Sequence, residues 1–176
     1  MTGGPVTDAR AYRLRERYHA HFGGAELPVP VERIAEDMLG LAAAERDGLA
    51  VSGMLLPAER EIYVNAEDAP ARRRFTLAHE VGHWVCQCLE GKGAPVMCRA
   101  EDVSESADRT LEREANVFAA ELLMPEPAVR AEFQRAATVT ELAGWFGVSE
   151  EAMSWRLYNL GLVADRPVAS MIRQSS

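Results

Sequence analysis

The chain has 176 residues, 19 of them Lys or Arg and 27 Asp or Glu, for a net charge of -8 near neutral pH. That length suits one ordinary domain, or one with a small appendage, and is enough to bury a core without staples. The acidic balance argues against non-specific binding to nucleic acid or anionic membrane, and no stretch has the apolar length to span a bilayer.

The first residues, "MTGGPVTDAR", lack the apolar core of a signal peptide, so a cytoplasmic protein is expected. Three cysteines, Cys86, Cys88 and Cys98, make an odd set, which in a reducing compartment speaks against disulfides. They also lack a spare histidine nearby, so no second metal site is expected from "CQC".

Thr7 and Asp8 can cap a helix running to about His21, where "FGG" ends it. A second, short helix fits "PVERIAEDMLG", with Pro30 near its start and Gly40 closing it. "LAAAER", "LAVSGMLL" and "REIYVN" then have strand character, and the "PAE" between the last two suggests an antiparallel hairpin. Asp68, ahead of Pro70, is placed to cap a long helix reaching about Glu90. "GKGAPVMCRAEDVSESAD" reads as a connecting loop, and "DRTLEREANVFAAELLMP" as a helix stopped by Pro125. Three short helices follow, to about Leu162. The expected division is a domain over 1–127 and a helical segment over 128–176.

The long helix contains "HEVGH". At about 100 degrees per residue, Phe75, Ala78, Gly82, Val85 and Leu89 share one stripe, and His79 and His83 lie one turn apart at its edge. Two imidazoles at i and i+4 can hold one zinc ion from the same side. Glu80 points too far round to ligate but can reach a water on the metal and act as general base. Gly82, costly in mid-helix, is explained by close packing against another helix.

A zinc site needs a third protein ligand and an open position. In the later helix Leu111, Ala115, Phe118 and Leu122 form the buried stripe, with Glu112, Asn116 and Ala119 along one edge. Glu112 is the preferred third ligand, and Asn116 can orient one histidine through its free ring nitrogen. Glu114, on the opposite edge, is the reserve.

With these residues in place the chain resembles the ImmA/IrrE family of zinc metallopeptidases, through "EIYVNAEDAPARRRFTLAHEVGHWV" and "LEREANVFAAELLMP". The resemblance implies an α+β, gluzincin-like fold: a small, about three-stranded sheet beside the motif helix, the ligand glutamate on a later helix, and short C-terminal helices. It implies one zinc ion per chain and a protein substrate, a helix-turn-helix (XRE-type) repressor of the kind found in mobile-element or stress regulation. At this length the extra C-terminal sensor domain of one family member is not expected.

"TVTELAGWFGVSEEAMSWRLYNLGL" has helix-turn-helix spacing, with Gly147 in the turn. Its one basic residue, Arg156, stands against Glu141, Glu150 and Glu151, so packing on the rest of the chain or docking a partner is expected rather than DNA binding. "RRR" at 72–74 reads as a solvated helix face, with Arg74 free to touch sheet or substrate. "REIYVN" is either an ordinary strand or an edge strand whose Tyr63 and Val64 would line an extended peptide. No residue is favoured for holding the oxyanion among Tyr63, His19, His21, Tyr158 and a nearby arginine. The leading expectation is a zinc endopeptidase; the alternative is a non-catalytic zinc protein acting by docking, as a regulator or a toxin–antitoxin component.

Overall fold

In the computed structural model of the chain, residues 7–24, 27–89 and 105–167 are described, the side chains of 105–108 excepted. Helix α1 (Ala9–Phe22) is capped by Asp8, whose Oδ1 accepts from the Arg10 amide at 2.8 Å and the Ala11 amide at 3.4 Å. A single helical turn, α2 (Val31–Arg33), widens into a π-turn over Ile34–Met38, and Gly40 closes it with φ +62°.

Strands β1 (Ala42–Arg46), β2 (Gly53–Leu56) and β3 (Glu61–Asn65) form one sheet in the order β1-β3-β2. The β2–β3 hairpin is antiparallel, as the sequence suggests, while β1 pairs with β3 in parallel. Strand β3 is therefore the centre of the sheet. Its Ile62 and Val64 are buried, consistent with period-two alternation over a helical layer.

Helix α3 (Pro70–His83) carries the histidine motif and continues as a π-helical stretch, Trp84–Leu89. Two sequence expectations fail here. The N-cap is Ala69, with Pro70 at the first turn, and the Asp68 carboxylate pairs with the Arg72 side chain at 3.3 Å instead of capping. The fully buried residues are Leu77, Ala78, Val81, Gly82 and His83, while Phe75 and Val85 are half-buried and Leu89 is 57% exposed. Helix α3 is enclosed from two sides, so its buried arc is broader than one stripe. Beyond His83 the wider turns advance fewer degrees per residue and rotate Leu89 outward.

Glycines set both enclosures. A Cβ on Gly53 of β2 would collide with Thr76 Cγ2 and come within 3.1 Å of Glu80 Oε1, so α3 lies directly against this strand. A Cβ on Gly82 would stand 3.0 Å from the carbonyl oxygen of Ala115 and 3.2 Å from the Phe118 ring. Both belong to α4 (Glu105–Leu123), which confirms the packing role expected of this glycine. Helix α4 starts three residues earlier than the sequence suggests, and the rest of the expected loop, with Cys98, lies outside the described residues.

Helices α5 (Glu126–Phe133), α6 (Val139–Phe146) and α7 (Glu150–Asn159) complete the chain as three short helices. Thr138 and Ser149 cap α6 and α7 through their hydroxyls, and Gly147 closes α6 in the left-handed region. Val129, Leu142, Phe146, Met153 and Leu157 join the same core as Ile34, Ile62 and Phe118, so no break in the core falls at residue 127. Arg74 is not solvated: it donates to the carbonyls of Val29 at 2.8 Å and Gly147 at 3.1 Å and ties α3 to the helix-turn-helix turn. Arg73 donates to the carbonyls of Ala66 and Asp68 and pairs with Glu45 of β1. Only Arg72 keeps the exposed setting read for "RRR".

Candidate metal centre

His79, His83 and Glu112 converge from α3 and α4. The two Nε2 atoms are 2.9 Å apart, and the Glu112 oxygens lie 3.2 Å from His79 Nε2 and 3.1 Å from His83 Nε2. Among the described residues these three form a group whose ligand atoms all lie within 4.8 Å of one another. The i,i+4 spacing puts both rings on one side of α3, and the close approach at Gly82 brings α4 within reach.

The ring tautomers follow from the next contacts. Asn116 Oδ1 is 3.0 Å from His79 Nδ1, so that nitrogen donates and Nε2 keeps its lone pair. The Gln87 amide lies 2.7 Å from His83 Nδ1. Since amide oxygen and nitrogen are interchangeable by rotation, Gln87 can accept from Nδ1–H in the same sense. Two lone pairs and a carboxylate then face one another at close range, which is unfavourable until a cation sits among them. Burial, then the neighbouring His79, holds His83 below the usual imidazole range and so in its neutral, ligating form.

Glu80 stands beside this group, against Gly53 of β2, and is not one of the converging ligands. Burial, with the Glu112 charge second, pushes its carboxyl up to about 7. A cation among the ligands would lower it again.

The group opens on a cleft of about 1860 Å³. One side is residues 51–59, which include β2; the others are the exposed faces of α3, α4 and α7. Glu80, His79, His83, Glu112 and Asn116 all line it. Tyr63 and Val64 do not. Because β3 is the central strand, its backbone is paired on both sides, Tyr63 Oη donates to Glu61 at 2.6 Å, and Val64 is in the core. The edge strand on the cleft is β2, and of the two readings of "REIYVN" the structure has the ordinary, central strand. His19, His21 and Tyr158 are also absent from the cleft lining. Glu114 points away, 3.9 Å from Arg10. Gln87 was missed, although His79, His83 and Gln87 repeat at four-residue spacing.

A small α+β domain with two histidines one turn apart, a carboxylate from a later helix and a glutamate after the first histidine has the architecture of a zincin-like metallopeptidase. The profile of the Peptidase_M78 family, the IrrE N-terminal-like domain, matches residues 39–158, and the chain belongs to that family. A relative, the "Radiation response metalloprotease IrrE" of Deinococcus radiodurans, is 34% identical over 83 residues, 47% of this chain and 25% of that protein. The chain thus matches about a quarter of its length. A solved structure, a "Mycobacterium tuberculosis transcriptional regulator", shares the fold with a TM-score of 0.64 at 20% identity, covering 84% of this chain and 46% of that one. Among the described residues no helix is long and apolar enough to cross a membrane.

Proposed function

We propose that the protein is a zinc-dependent endopeptidase whose metal is held by His79, His83 and Glu112, one ion per chain. The convergence of these three side chains within 3.2 Å of one another carries the reading. Tetrahedral ligands at zinc bond lengths stand about 3.3 Å apart, so the ligands need open only by a few tenths of an ångström. Two imidazoles and a carboxylate with a fourth position left over are the donor set of a catalytic zinc site.

A zinc ion there supplies Lewis acidity toward water and toward the scissile carbonyl. Glu80 takes the proton of the attacking water and then delivers it to the leaving amide nitrogen, so the proton count closes on the products. Asn116 and Gln87 fix the two imidazole rings. The β2 edge offers unpaired backbone groups to an extended peptide, which holds the chain in register while its side chains face the cleft.

The substrate is a protein, and the family resemblance points to a helix-turn-helix repressor. The name of the Deinococcus relative supports stress regulation as the setting. The enzyme acts in the cytoplasm and does not itself bind DNA. Co-expression with such a repressor, followed by a blot, tests the reading. Wild type yields a discrete fragment; Glu80→Gln keeps its zinc and loses about 100-fold or more in cleavage rate. If both variants relieve repression without leaving a fragment, the docking alternative replaces the peptidase.

A further inference from the structure

The cleft continues past the ligand cluster. On α4, the half-buried Val117 and Ala120 follow Glu112 and Asn116 and line it, with the buried Met124 just past the helix end behind them. On α7, Ala152 and Trp155 join them. The residue next to Trp155 fixes this wall. Arg156 is buried, its Nε donates to the Met124 carbonyl at 2.9 Å, and its guanidinium pairs with Glu121. Arg156 is thus turned away from the cleft's open space onto Glu121, and it pins α7 to the end of α4. Arg166 lies over the Trp155 ring, 5.3 Å from its centroid, and also lines the cleft.

We infer that this corner between α4 and α7 is a substrate subsite for one large aliphatic side chain of an extended peptide, with Trp155 as its specificity-determining residue. The inference rests on the peptidase reading and adds to it a position and a chemistry. Val117 and Ala120 lie five and eight residues beyond Glu112, or about 7 to 12 Å along the helix. A strand-like peptide rises about 3.3 Å per residue, so the side chain that reaches the corner sits about two to four residues from the scissile bond. The corner's own lining, Val117, Ala120, Ala152 and the Trp155 ring, is apolar, with Arg113 and Glu151 elsewhere on the cleft and Arg166 over the ring, and this favours an aliphatic group against the ring. Its burial is worth about ten- to a hundredfold in affinity.

The test uses the zinc-loaded Glu80→Gln chain, panned against random peptides displayed on phage. The selected peptides are expected to share one large aliphatic position. Replacing that residue by Asp lowers affinity about tenfold or more. Ala152→Glu and Trp155→Ala weaken the unmodified peptides by a similar factor, and Lys at the aliphatic position recovers binding on Ala152→Glu. The inference is overturned if no peptide is selected. It is also overturned if binding is indifferent to both substitutions in proteins with parental circular dichroism and zinc content, or if the Asp peptides bind equally well. Exposing the same peptides to wild type separates the two claims. Peptides bound at the corner but never cut remove the peptidase reading and leave the subsite. Peptides cut by wild type whose binding does not respond at Ala152 or Trp155 remove the subsite and leave the peptidase.

Discussion

Helices α3 and α4 touch at Gly82, where a Cβ would meet the backbone of Ala115 at 3.0 to 3.1 Å. Helix α6, in the helix-turn-helix pair, also carries a mid-helix glycine, Gly144, but there a Cβ would meet nothing within 4 Å. The close pair turns the polar residues at the edges of its buried stripes toward each other and gathers His79, His83 and Glu112. The pair α6–α7 turns its one cation, Arg156, inward onto Glu121 and shows Glu150 and Glu151 to solvent. Apolar spacing decides where each helix packs. The residues at the stripe edge decide whether the seam becomes a reactive site or a structural joint.

The sharpest way to break this contrast is at the joint. Arg156→Met leaves the Glu121 carboxylate buried without its main partner and is expected to cost about 3–5 kcal/mol in urea unfolding. Burial already outweighs Arg156 and Arg15 and holds Glu121 above its ordinary carboxyl value, so the pair positions α7 more than it stabilises the fold. A loss below about 1 kcal/mol would mean that α7 is not anchored there.

The two glycines come next. Alanine normally gains about 1 kcal/mol over glycine in a helix interior. Gly144→Ala is expected to show a gain of about 0.5–1 kcal/mol. Gly82→Ala, pressed on backbone that cannot yield, is expected to reverse the sign and lose about 1–3 kcal/mol. Equal effects in thermal melts would show that the two helix pairs pack alike.

The smallest expected effect is on DNA. A gel shift with the DNA flanking the protein's own gene, at physiological salt, is expected to show none, since α7 exposes carboxylates and buries its arginine. A specific shift below micromolar would return the C-terminal helices to a DNA-reading role.

The site was legible in the sequence because its geometry is local. His79 and His83 are one helical turn apart, as are Glu112 and Asn116, and a helix converts such spacing into a shared edge without outside help. What was not legible depends on partners distant in sequence. Nothing in "REIYVN" says that β1 will pair along its free side and make it the central strand. The arginines at 73 and 74 look solvated until the carbonyls of Ala66, Val29 and Gly147 arrive beside them. Asp68 looks like a cap until Arg72 takes its carboxylate. Leu89 follows the stripe until the helix widens after His83. The apolar pattern of α6 and α7 was read correctly as helices that pack, but the cleft wall that α7 supplies depends on where the end of α4 lies.

Zinc stoichiometry tests the central claim most directly. Protein purified without added metal, and then offered zinc, should hold about one equivalent by elemental analysis. Glu112→Gln should lose most of it, and Glu114→Gln, whose parent carboxylate faces Arg10, should keep it. Less than about a tenth of an equivalent in wild type, or loss in Glu114→Gln with retention in Glu112→Gln, would contradict the assignment of His79, His83 and Glu112 as the metal site.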